Sequence, residues 1–256
     1  MSARRLYRHA AGGGRFKTFS VTVKESDLWI AVPRKSFYED LPGQVEQLLW
    51  RARRQLETYI AVHPDFAVTL EPFLVREPAP AIALEMARAG NICGVGPMAA
   101  VAGALAEIVG QWLLRDREEV IVENGGDIFL KVVEALNVAI LAGKSPLSGK
   151  IALLVEPEEN PLGISTASGT AGHSFSKGRA DAAVILSPSA ALADAAATAV
   201  GNLVQGPADL ERALALARSI EGVTGAVLIC GDKMALWGQV QIRPLQSRPS
   251  QLLLGE

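Results

Sequence analysis

The reading of this chain turns on Gly163–Asn202, GISTASGTAGHSFSKGRADAAVILSPSAALADAAATAVGN. Gly163 to Ala167 is strand-like, Thr170 to Lys177 is a polar loop, and Asp181 to Leu186 is a short apolar run of strand length. Ser187-Pro188 reads as a helix start, because serine can cap free backbone N–H groups and proline suits the first helical position. Gly201 and Asn202 read as the stop. Between these signals Asp194 and Thr198 are the only polar residues from Ala191 to Val200, and their spacing of four stacks them on one face. A carboxylate on so apolar a helix needs hydrogen-bond donors or a cation, since burying it unpaired costs several kcal/mol, roughly. Carboxylate plus hydroxyl is hard-oxygen chemistry of the kind magnesium takes. The alternative is that Asp194 caps a neighbouring loop and Thr198 only packs.

Three segments together resemble one family. Ala193-Asp194-Ala195-Ala196-Ala197-Thr198-Ala199-Val200 is similar to the A-D-A-L-A-T-A-L segment of ApbE-type FAD:protein FMN transferases, Ser165-Thr166-Ala167-Ser168-Gly169 to their S-T-S-G, and Asn124-Gly125-Gly126-Asp127-Ile128 to their G-G-D-I turn. Order and rough spacing agree over Ile92 to Asn202, while the N-terminal strand pair looks more like an uncharacterised prokaryotic family related to the transferases. The resemblance implies a cleft for a flavin, FAD or FMN, or for a nucleotide diphosphate, with Mg2+ on Asp194 and Thr198. It implies ligand contacts from Gly94, Gly96, Asn124, Gly125, Gly126, Asp127, Ser165, Thr166 and Ser168. His173 matches a loop histidine that the family links to flavin transfer. The family's loop acid is replaced by Ser176, and Ala102 stands near the place of a family lysine in Gly96-Pro97-Met98-Ala99-Ala100-Val101-Ala102-Gly103.

The rest of the chain sets the frame. Phe19, Val21 and Val23 alternate with polar residues as in a half-buried strand, Glu25-Ser26-Asp27 turns, and Leu28 to Val32 is the hairpin partner. Pro42-Gly43 precedes a helix whose apolar face carries Val45, Leu48, Leu49, Ala52, Leu56, Tyr59 and Ile60, with Arg51, Arg53 and Arg54 elsewhere as a solvated face, and His63-Pro64 ends it. Ala89 to Ala106 lacks charge for about the length of a membrane span, but its glycines, Asn91 and Pro97 break it. The better reading is a helix ending near Gly90, a turn at Gly94-Val95-Gly96-Pro97, and a new helix from Met98 to about Leu114. A glycine turn that opens a helix offers converging N–H groups to an anion, and is also common as plain structure. Asn124-Gly125-Gly126 is a hairpin turn, a ligand approach, or both. Further strands are expected over Leu136 to Leu141, Ile151 to Val155, Ala226 to Ile229 and Met234 to Val240, with a helix through Leu210, Ala213, Leu214 and Ala217.

These runs lack steady βαβ alternation, so the fold class is α+β, mostly antiparallel sheet packed with helices, with two intimate lobes left open. One domain is expected over 1–256: a strand pair and helix over about 15–64, a core over about 80–240, and a peripheral tail over 244–256 whose Leu252 to Leu254 could dock. Apolar residues make up 49% of the 256, enough for a large core, and the net charge of −2 gives no case for nucleic acid or an anionic membrane. Two cysteines fit a reducing cytosol, and no apolar leader is evident at the N-terminus, so a cytoplasmic location is expected. The expected partner is a small nucleotide or flavin, with homo-oligomerisation left open. Three functions remain: flavin or nucleotide binding with magnesium, extending to flavin transfer; a ligand-binding or scaffold protein that keeps the fold without the chemistry; and an enzyme of another class in the same cleft, with His173 or Lys177 as acid or base.

Overall fold

A computed structural model of the chain describes residues 14–158, 161–169, 178–245 and 252–254. Its centre is an eight-stranded antiparallel sheet in the order β1 (Phe16–Val23), β2 (Ser26–Pro33), β3 (Val120–Asn124), β4 (Asp127–Lys131), β7 (Leu162–Ala167), β8 (Ala182–Ser187), β9 (Gly225–Cys230) and β10 (Lys233–Gly238). A second sheet carries β5 (Leu136–Ile140) and β6 (Ile151–Val155), flanked by β11 (Ile242–Pro244) and β12 (Leu252–Leu254). β12 pairs in parallel with β5, so the tail docks as an edge strand. The fold is α+β.

The large sheet is covered on both faces, which explains strands that read as continuous apolar runs where alternation would mark a wet face. Along each strand successive side chains take opposite sides. Ile30, Val122, Phe129, Ile185 and Leu228 pack against the helices. Trp29, Ile121, Ile128, Val184 and Val227 pack against the second sheet. The helical layer comprises α1 (Leu41–Val62), α2 (Asp65–Val68), α3 (Ala81–Cys93), α4 (Val101–Leu113), α5 (Ala190–Leu203) and α6 (Leu210–Ser219). Among the described residues no single helix is long and apolar enough to cross a membrane; α3 and the Pro97–Leu113 stretch meet at a bend of 104°. Gly94 makes that bend possible as the left-handed cap of α3, at φ 71.

Several boundaries differ from the sequence reading. α1 begins at Leu41 with Pro42 inside its first turn, because proline fits where no N–H partner is needed. α5 begins after Ser189, whose hydroxyl accepts from the Leu192 N–H, so Ser187-Pro188 is not the start. Ser187 instead closes β8, opposite Gly163. The expected stop also lies inside the helix, since α5 continues to Leu203. A Cβ on Gly178 would meet the Gly201 carbonyl oxygen at 1.9 Å, so the returning chain sits directly on this turn of helix. Tertiary packing of that kind overrides glycine's preference for a terminus.

Candidate functional site

α4, α5 and the β4–β7 ladder converge on two carboxyl groups. Asn124 pairs with Asp127 across the β3–β4 turn, so Gly125 and Gly126 form a two-residue hairpin at φ 67 and 107, values glycine adopts without strain. Asp127 leads β4 and faces the helices, as Phe129 does one repeat later. Opposite it on β7 the Ser165 hydroxyl donates to Asp127 Oδ1. From the helical side comes Asp194, whose Oδ2 accepts from the Gly103 N–H at 2.9 Å. The Ala102 N–H contributes a second bond to this carboxyl. Asn124 Nδ2 donates to the Ala102 carbonyl at 3.1 Å, tying the β3–β4 hairpin to the same turn of α4.

The anion at the start of α4 is therefore the protein's own. Asp194 occupies the position where helix N–H groups and dipole favour negative charge. Glu107 of α4 reciprocates at the start of α5. Its Oε2 accepts from the Ser189 hydroxyl at 3.0 Å and from the Ala190 and Ala191 N–H groups at 2.8 and 3.2 Å. The helices can exchange caps because they nearly touch: a Cβ on Gly103 would stand 2.1 Å from the Ala190 carbonyl oxygen and 2.9 Å from Asp194 Cβ. Glu107 escaped the sequence reading, although a lone acid on an apolar helix is the signal that singled out Asp194.

The electrostatics are unfavourable to charge. Asp194 is pushed up from 3.8 to about 7, chiefly by burial, against the pull of the Gly103 and Ala102 N–H groups. Asp127 is raised well above the usual carboxylate range, by burial first and then by the charges of Asp194 and Glu123, against the Ser165 hydrogen bond. Burial and the Asp194 charge drive the nearby Cys93 thiol up to about 12. Among the described residues no Lys or Arg forms an ion pair with Asp127 or Asp194. The pair can be relieved by a shared proton or by an external cation.

Along α5 the residues at 194, 198 and 202 are only half-buried while most of the helix is sealed, so Asp194 and Thr198 share the helix's accessible stripe. Thr166 sits on the opposite face of β7 from Ser165, level with Val184 and toward the second sheet. Its hydroxyl is buried with no hydrogen-bond partner among the described residues. Ser168 lies just past the strand end and is not without partners. Gly94 and Gly96 have structural work of their own: Gly94 caps α3, and a Cβ on Gly96 would meet the Thr69 carbonyl oxygen at 2.0 Å. The structure thus brings together Asn124, Asp127, Ser165 and Asp194, with Thr198 one turn on. His173 lies outside the described residues. No cluster of three or more His, Cys, Asp or Glu among the described residues is arranged to hold a metal. Two cavities, of about 460 and 480 Å³, lie elsewhere.

The family model described as AbpE bacteria matches residues 8–241. The chain belongs to this family. A UPF0280 protein of Methanosarcina acetivorans is 42% identical over 73% of this chain and 75% of its own length. One of Methanocaldococcus jannaschii is 35% identical over 92% of this chain and 96% of its own. Among solved structures, the apo form of the Pseudomonas stutzeri flavinyl transferase ApbE matches with a TM-score of 0.60 at 18% identity, over 88% of this chain and 94% of that one. The flavin transferase ApbE of Vibrio cholerae matches with a TM-score of 0.54 at 14% identity, over 87% and 96%. These likenesses establish that the AbpE-family chain has the ApbE fold.

Proposed function

We propose that the site where α5 meets the Asn124–Asp127 turn binds a pyrophosphate-bearing nucleotide, a flavin above all, together with magnesium. The observation that carries this reading is the meeting of Asp127 and Asp194, two neighbouring carboxyl groups without an ion-pair partner among the described residues, beside the half-buried Thr198. Their donors are all hard oxygens, the set magnesium prefers, and their raised pKa values mark a site short of positive charge. Asp194 and Thr198 would hold the ion, which would neutralise the carboxylates and draw the pyrophosphate oxygens. The Gly103 and Ala102 N–H groups fix Asp194 in place, Ser165 and Asn124 fix the facing hairpin, and Gly125 and Gly126 leave room for backbone approach. The relatives of like fold named flavin transferases extend the reading to transfer of a flavin nucleotide onto a protein hydroxyl, with His173 as the acid or base.

Ala102 favours a second reading, a flavin-binding protein without transfer. Near the place where the resemblance to the transferases implies a lysine, this chain offers a methyl group, and the Ala102 backbone is committed to Asp194 and Asn124. The free, buried thiols of Cys93 and Cys230 suit a reducing compartment, and we place this activity in the cytoplasm. Thermal melts with FAD, FMN, ADP and ATP, each with magnesium, test both readings. At roughly a thousand times the dissociation constant a ligand confined to the folded state stabilises by about 4 kcal/mol. A shift with FAD, followed by flavin appearing on a threonine-bearing acceptor peptide, supports transfer. A shift without transfer supports the binding protein, and no shift with any of the four defeats both.

A further inference from the structure

A groove of about 460 Å³ runs between the C-terminal half of α1 and the segment that leads into α3. That volume is typical of small-molecule sites. Tyr59, Val62, Pro78 and Pro80 give it apolar walls, and Arg51 and Arg54 stand among its lining residues. None of these residues belongs to the carboxyl site, and the inference does not rest on the flavin reading.

The three arginines of α1 have divided roles. Arg53 is spent on structure: it pairs with Glu25 and Glu57 and donates to the Ser26 hydroxyl at 2.6 Å. Arg51 and Arg54 are exposed and form no ion pair with any described acid. Three residues apart, they share a face of the helix, close enough for one carboxylate or phosphate to bridge both. Asp65, the acid that opens α2 beyond the groove, is engaged by Arg76 at 3.1 Å. An anion entering the groove therefore meets two unspent guanidinium groups.

The walls are built to keep their shape. The Tyr59 hydroxyl donates to the Arg76 carbonyl at 3.2 Å and accepts from the Arg76 N–H at 3.1 Å, which pins the ring. Tyr59 stands edge-on to Phe66 at 5.3 Å, and Phe66 in turn to Phe73 at 5.2 Å. His63 lies against Tyr59 at 4.7 Å, and its Nδ1 is buried with no hydrogen-bond partner among the described residues. Val62 is 68% exposed at the groove, an apolar surface that gains from being covered. A rigid wall lowers the ordering cost of binding, and the arginine pair supplies specificity for charge.

We propose that this groove binds a small, flat apolar anion, with its carboxylate or phosphate on Arg51 and Arg54 and its body against Tyr59, Val62 and the two prolines. Calorimetric titration of the full chain with 2-naphthoate and with 1-naphthyl phosphate tests it, with 2-naphthalenemethanol as the uncharged control. Both anions should bind, the alcohol at least tenfold more weakly, and the tighter of the two anions identifies the headgroup. The Arg51→Gln/Arg54→Gln variant should keep the wild-type melting temperature, since both side chains are exposed, and lose at least tenfold in affinity for the anions. Val62→Asp, which leaves both arginines in place, should weaken the anions by a comparable factor. No binding of either anion at millimolar concentration, equal binding of the alcohol, or unchanged affinity in the arginine variant would overturn the proposal.

Discussion

Replacing Asp194 with asparagine tests the carboxyl site on the empty protein. A carboxyl raised from 3.8 to about 7 binds its proton more tightly folded than unfolded. Its penalty on stability is absent below the lower value, grows as pH rises, and levels off above the higher one. At 1.36 kcal/mol per pH unit, the penalty is about 1–2 kcal/mol at pH 5 and about 4 kcal/mol at pH 8. Asparagine keeps an oxygen for the Gly103 N–H but not the charge on it, a loss of about 1 kcal/mol. Asp194→Asn should therefore match the wild type within about 1 kcal/mol at pH 5 and exceed it by about 3 kcal/mol at pH 8. For a chain of this size that is a rise in melting temperature of about 6–12 °C at pH 8. Asp127 adds to the effect, because removing the Asp194 charge removes one cause of its own raised pKa. Calorimetric melts at both pH values, with a chelator and with magnesium, give the measurement. Magnesium should stabilise the wild type at pH 8 and leave the variant unmoved. A variant less stable than wild type at pH 8, with magnesium inert toward both, would show that Asp194 is only the cap of α4 and would refute the metal site.

Two further outcomes follow from the same geometry. Gly103→Ala should destabilise the protein by about 3 kcal/mol in urea unfolding, since its methyl group would stand 2.1 Å from the Ala190 carbonyl oxygen and must part α4 from α5; wild-type stability would contradict that helix contact. Cys93, 8% exposed with its thiol pushed up to about 12, should resist iodoacetamide at pH 8 in the native protein and react once unfolded, as read by mass spectrometry; rapid native labelling would mean that the end of α3 opens to solvent.

Much of the architecture is written locally. The alternation through Phe19, Val21 and Val23 produced β1, and Val21 pairs with Leu28 of the expected partner strand. The one-sided apolar pattern of α1 became its buried face, and two glycines after Asn124 made the β3–β4 hairpin. A lone acid on an apolar helix likewise marked Asp194 as a residue that needs partners. These features depend on side-chain period and on backbone angles that neighbouring residues set.

Other features exist only in the assembled fold. Nothing near Asp194 in sequence names Gly103 as its donor, 91 positions away, or marks Glu107 as the cap of α5. Ser187 closes a strand because Gly163 pairs with it, and Gly201 stays helical because the chain at Gly178 packs against its carbonyl. Ser165 and Thr166 are adjacent letters that the pleat sends to opposite faces, and only Ser165 reaches Asp127. The pKa values are collective in the same way: each carboxyl is raised by burial, and Asp127 further by the charges of Asp194 and Glu123. Local sequence fixes the period and conformation of each segment. Which polar groups meet out of water depends on how the segments pack, and that meeting is what creates a site.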